Sequence, residues 1–89
     1  MSLGPVGLQM EQKLIERFAP VELSVIDESS HHAGHSGARP DGESHFKVKI
    51  IADAFAGQSL LQCHRLINET LAEELKERVH ALSIVAKAP

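Results

Sequence analysis

Polar and apolar side chains alternate over Val21-Glu22-Leu23-Ser24-Val25, which predicts a half-buried strand with Val21, Leu23 and Val25 on its inner face. The same two-residue period returns at Phe46, Val48, Ile50 and Ala52, set against Lys47, Lys49 and Ile51, and predicts a second strand over residues 46–52. Residues 79–86 place His80, Leu82, Ile84 and Ala86 on one face and Val79, Ala81, Ser83 and Val85 on the other. A strand apolar on both faces is expected at the centre of a sheet or under helices. Helical spacing appears in two other stretches. Leu8, Leu14, Ile15 and Phe18, separated by Glu11, Gln12, Lys13, Glu16 and Arg17, predict a helix over residues 8–18. Ala19-Pro20 ends it, because a residue preceding proline is disfavoured in the helical region. Leu60, His64, Ile67, Leu71 and Leu75 lie on one stripe behind the N-cap candidate Ser59, so a longer helix is expected over residues 59–77.

The predicted order is αββαβ. Successive strands pair antiparallel, and the strand–helix–strand crossover makes the second and third strands parallel. The expected fold class is therefore α+β: a three-stranded mixed sheet with both helices packed on one face. With 89 residues the chain has room for one domain and one modest core. Gly4-Pro5-Val6-Gly7 is rich in helix breakers, so residues 1–7 read as a flexible lead-in, the first of them explained by a cloning remnant. Residues 8–89 read as a single domain.

Composition narrows the function classes. A net charge of −3 gives no general attraction to phosphate backbones or anionic membranes. The single cysteine, Cys63, cannot form an intrachain disulfide, which suits a reducing compartment: the cytoplasm, or the mitochondrial matrix in a eukaryote. No apolar run reaches membrane-spanning length, and the first residues lack the basic and apolar regions of a signal peptide. No Ser/His/Asp or Cys/His set stands in a recognisable motif, and a chain this small has little room for a deep pocket, so an enzyme is not expected.

The candidate chemistry lies in a loop over residues 29–45, where His31, His32 and His35 fall within five residues and His45 closes the stretch. Imidazole is a versatile metal ligand, yet this spacing lacks the Cys and His pairs of a structural zinc site, so a polar loop rich in histidine fits as well. His45 is expected to fix the base of the loop, His64 to be a partly buried structural histidine, and Cys63 to be a semi-exposed thiol. His80, at the beginning of the third strand, reads either as a packing histidine or as a ligand on a rigid element. Lys47, Lys49 and Arg65 form the best candidate basic patch for nucleic acid. Ala56-Gly57-Gln58-Ser59 lacks the second glycine of a Gly-x-x-Gly nucleic-acid loop.

Asp27-Glu28-Ser29 followed by histidines, Gly42-Glu43-Ser44-His45-Phe46-Lys47-Val48, Phe55-x-Gly57, His64-Arg65-x-Ile67, Leu71-Ala72-Glu73-Glu74-Leu75 and Val79-His80-Ala81-Leu82 together resemble the BolA family. Their order and spacing cover nearly all of the chain from Leu8 onward. The resemblance implies a type II KH-like fold and a heterodimer with a monothiol glutaredoxin around a bridging [2Fe–2S] cluster, in iron–sulfur assembly, trafficking or iron sensing. It implies thiolates from the glutaredoxin and glutathione, and imidazoles from His80 and a loop histidine. His32 is the best match by offset from Asp27-Glu28-Ser29, with His31 and His35 as alternates. No cluster is expected on the isolated protein, which is expected as a monomer or weak homodimer. Family members also described as transcriptional regulators keep DNA binding through Lys47, Lys49 and Arg65 as the alternative.

Overall fold

The computed structural model describes residues 3–28 and 44–89. Its elements are α1 (Pro5–Phe18), β1 (Glu22–Asp27), β2 (His45–Ile51), a single 3-10 turn (Asp53–Phe55), α2 (Leu60–Thr70), α3 (Ala72–Glu77) and β3 (Ala81–Lys87). The strands lie in the order β1-β2-β3. β1 runs antiparallel to β2, with Val25 opposite Val48, and β2 runs parallel to β3, with Val48 beside Ile84. This is the α+β mixed sheet that the alternation predicts, and it is consistent with the type II KH-like label. The core joins Met10, Leu14 and Phe18 of α1 to Phe46, Val48 and Ile50 of β2 and to Cys63, Ile67 and Leu71. Lys47 and Lys49 occupy the opposite parity of β2 and face away from it.

β2, not the third strand, is central. Ala81, Ser83 and Val85 of β3 face solvent. They are small or uncharged, and such side chains tolerate either environment, so their apolar character carried no information about position. β3 also begins at Ala81 rather than at residue 79.

The helices differ from expectation in phase. α1 begins at Pro5, where the missing N–H and fixed φ suit the first helical turn. Pro5, Val6 and Gly7 therefore belong to the helix and not to a lead-in. Its buried side is Gly7, Met10, Leu14 and Phe18, while Leu8 and Ile15 are exposed. Gly7 lets the helix approach closely: a Cβ there would sit 2.9 Å from the end of the Leu3 side chain and 3.2 Å from the Phe46 ring, so both would have to shift.

Ser59 caps α2 as predicted. Its hydroxyl accepts from the Gln62 N–H at 3.1 Å, and its own N–H donates to the Gln62 side chain at 2.9 Å, a reciprocal capping box. The expected single helix is divided at Leu71, whose φ and ψ are −103° and 19°. Just before the break the Thr70 hydroxyl donates to the Leu66 carbonyl at 2.7 Å, a back-bond that bends helices. The buried stripe is Cys63, Ile67, Leu71 and Glu74. Leu60 and Leu61 are 70% and 60% exposed. Cys63 is thus a core residue rather than a semi-exposed thiol, and His64 is half-buried as expected.

Candidate functional site: the histidine end of the sheet

The parity that buries Phe46, Val48 and Ile50 also buries Ser44, which is 0% exposed at the entrance to β2. A buried hydroxyl is costly unless bonded, and Ser44 Oγ lies 2.8 Å from His45 Nδ1. The Ser44 carbonyl in turn accepts the N–H of His80 at 2.6 Å and the N–H of Ala81 at 3.1 Å. Two residues earlier, the Glu74 carbonyl accepts the N–H groups of Arg78 and Val79 at 2.9 and 2.7 Å. Four consecutive backbone donors, from Arg78 to Ala81, are therefore held by two carbonyls, one on α3 and one beside β2. His80 sits in this clamped segment, immediately before β3, with its side chain exposed.

Beside it lies His45, the first residue of β2 and only 8% exposed. The two imidazole rings are 5.5 Å apart between centroids and inclined at 54°. Neutral imidazole is a good ligand for iron and raises cluster potential relative to thiolate, and the exposed His80 ring offers that donor at this end of the sheet. No group of three or more His, Cys, Asp or Glu suited to a metal ion occurs among the described residues.

Glu74 supplies the third buried polar group near this segment. Its carboxylate is 5% exposed and meets Lys13 Nζ at 2.8 Å, tying α3 to α1, with Glu73 farther away at 3.7 Å. The hydrogen bond to Glu74 is the main reason the Lys13 pKa is raised above its ordinary 10.5.

Of the predicted site residues, His80 is placed on a fixed backbone with an exposed ring, although in the bend before β3 rather than inside the strand. His31, His32 and His35 lie outside the described residues. The basic residues do not converge: Lys47 and Lys49 lie on the open face of the sheet, whereas Arg65 is exposed on α2 in the helical layer. Lys49 also approaches Glu22 at 4.0 Å. Ser44 and the adjacency of His45 to His80 were missed. The parity of β2 carries the signal for Ser44, since it continues the even-numbered buried series; the pairing across β2 and β3 depends on register and has no local signature.

Fold and site define a small α+β module that presents histidines at one end of its sheet. A family model for BolA-like protein matches residues 14–89, and the chain belongs to the BolA family. It is 50% identical over its whole length to SufE-like protein 1, chloroplastic/mitochondrial, of Arabidopsis thaliana, and spans 25% of that protein. It is 47% identical to the DNA-binding transcriptional regulator BolA of Escherichia coli strain K12, over 85% of this chain and 69% of that one. The structure of the BolA domain of SufE1 from Arabidopsis thaliana superposes with a TM-score of 0.90 at 51% identity, covering 99% of this chain and 96% of the other.

Proposed function

We propose that this protein shares a bridging [2Fe–2S] cluster with a monothiol glutaredoxin and glutathione, contributing imidazole ligands from His80 and His32, with His31 and His35 as alternates to His32. The observation that carries this reading is His80: an exposed imidazole on a backbone pinned at both sides by the Glu74 and Ser44 carbonyls. A ligand held before the partner arrives loses little freedom on binding. His80 thus offers one contact that is formed before cluster and partner arrive. The role that follows is iron–sulfur assembly, trafficking or iron sensing, as a partner and not as an enzyme. The compartment is a reducing one, cytoplasmic or organellar; a relative named chloroplastic/mitochondrial supports including organelles.

Co-expression with a monothiol glutaredoxin, followed by absorption and visible circular dichroism of the purified complex, tests the reading. A one-to-one heterodimer with a [2Fe–2S] chromophore is expected, with most of the signal lost in His80→Ala and a smaller loss in His32→Ala. Wild-type spectra in His80→Ala and in the variant lacking His31, His32 and His35 would remove histidine ligation.

A second reading rests on the relative named a DNA-binding transcriptional regulator. DNA contact would then use Lys47 and Lys49 on the open sheet face, with Arg65 on a separate surface. Retention of duplex DNA at physiological salt, weakened in the Lys47/Lys49 double alanine variant, is its expected result.

A further inference from the structure

We propose that Ser44 is a positioning residue for the His80 imidazole, its hydroxyl acting through His45 on the His80 ring. The inference rests on the reading of His80 as a ligand, and adds the residue that aims it.

Three contacts converge on this one small side chain and its peptide. The carbonyl takes the N–H of His80 at 2.6 Å and that of Ala81 at 3.1 Å, so the height of His80 above the sheet end is set by Ser44. The hydroxyl, 2.8 Å from His45 Nδ1, engages one imidazole nitrogen whatever the ring's tautomer. The bond runs in either direction according to that tautomer; in both cases it fixes the plane of the ring. His45 is buried at the start of β2, and its ring stands 5.5 Å from that of His80 as a side wall. Sheet register explains the convergence: His45 pairs with Ala81 across β2 and β3, so Ser44 falls level with the bend that carries His80. Partners that orient a metal-binding histidine contribute about 10–100-fold to metal affinity. Ser44 has the burial and the contacts of such a partner, acting one residue removed.

The test uses the full chain, wild type and Ser44→Ala, Ser44→Thr and His45→Phe, alone and with a monothiol glutaredoxin. In the free protein, imidazole nitrogen shifts report the His45 hydrogen bond, and side-chain couplings report the His45 and His80 rotamers. One dominant rotamer of each ring is expected for wild type. Ser44→Ala is expected to lose the bond and average the rotamers, and Ser44→Thr, which keeps the hydroxyl, to restore both. In the heterodimer, cluster retention is expected to fall about 10–100-fold in Ser44→Ala, with an altered visible dichroism, and to recover in Ser44→Thr. Wild-type His45 and His80 signals in Ser44→Ala would overturn the proposal. Should Ser44→Ala not fold, His45→Phe tests the same link, since it keeps a ring beside His80 but no nitrogen for Ser44. An averaged His80 rotamer there supports the proposal, and a wild-type rotamer overturns it. Absence of a cluster from the wild-type heterodimer overturns the ligand reading alone; the free-protein spectra decide the positioning role by themselves.

Discussion

The two ends of this domain are built from different materials. At one end Phe18 and Phe55 meet with ring centroids 5.0 Å apart, next to the buried Ala52, and stabilisation there comes from apolar burial. At the other, Ser44, His45 and Glu74 are the buried polar residues among those described, and the carbonyls of Ser44 and Glu74 hold the segment leading to His80. Apolar contacts are tolerant of small displacements, whereas hydrogen bonds fix distance and angle. The aromatic end holds the sheet and helices together, and the polar end sets the height of one exposed imidazole.

Truncating the aromatic end gives the largest effect. Phe55→Ala is expected to destabilise by about 3–5 kcal/mol, the usual range for emptying a buried aromatic site, read as a lower urea midpoint. His80 nitrogen shifts are expected to stay at their wild-type values in the remaining folded molecules. Shifts that move would mean that the two ends are not separable.

At the polar end, Lys13→Met is expected to lower the thermal midpoint near neutral pH by less, since the Lys13 head is partly exposed. The Lys13 pKa is raised in the folded protein by its bond to Glu74. A raised lysine contributes its full stabilisation below the ordinary value of 10.5 and loses it as pH climbs through the folded value. The gap between wild type and Lys13→Met is therefore expected to be constant up to the alkaline range and to close above it. A gap independent of pH would mean that the loss came from packing of the lysine stem alone.

How much of this was legible in the sequence depended on the period being read. The two-residue alternation of residues 46–52 located β2 and its buried face correctly, because each misplaced parity would put Lys47 and Lys49 in the core. Helix phase was harder. In α2 a stripe through Leu60 and His64 and a stripe through Cys63 and Glu74 both contain Ile67 and Leu71, and only packing against β3 and α1 chooses between them. Glu74 is buried because Lys13, 61 residues away in sequence, reaches it, and no local pattern announces a distant partner. His80 stands out in the sequence through the Val-His-Ala-Leu motif, whereas the contact of Ser44 with its backbone depends on the register between β2 and β3.

Replacing the cap gives a smaller effect. Ser59→Ala removes the hydroxyl that accepts from Gln62 and is expected to cost about 1 kcal/mol, measured by chemical denaturation. Ser59→Asp is expected to recover it, since aspartate caps equally well. Because this cap lies on the helical layer away from Ser44 and His45, both variants should leave the His80 spectra unchanged.

The smallest expected effect is the one that separates sequence pattern from structure most directly. Leu60 belongs to the apolar stripe read from helical spacing, and a core leucine replaced by alanine costs about 2–5 kcal/mol. In the fold its side chain is 70% exposed, and Leu61 beside it is 60% exposed. Surface substitutions of this kind stay within about 0.5 kcal/mol. Leu60→Ala also keeps a strong helix former in the first turn of α2, so propensity adds little of its own. Ile67→Ala, one of the two residues common to both stripes and 0% exposed, supplies the internal control at about 2–5 kcal/mol. Measuring the urea midpoints of the two variants side by side fixes the rotation of α2. A near-wild-type Leu60→Ala with a strongly destabilised Ile67→Ala places Cys63 inward, on the stripe that continues to Glu74 in α3. Equal destabilisation in both would turn the helix back by one position and expose Cys63.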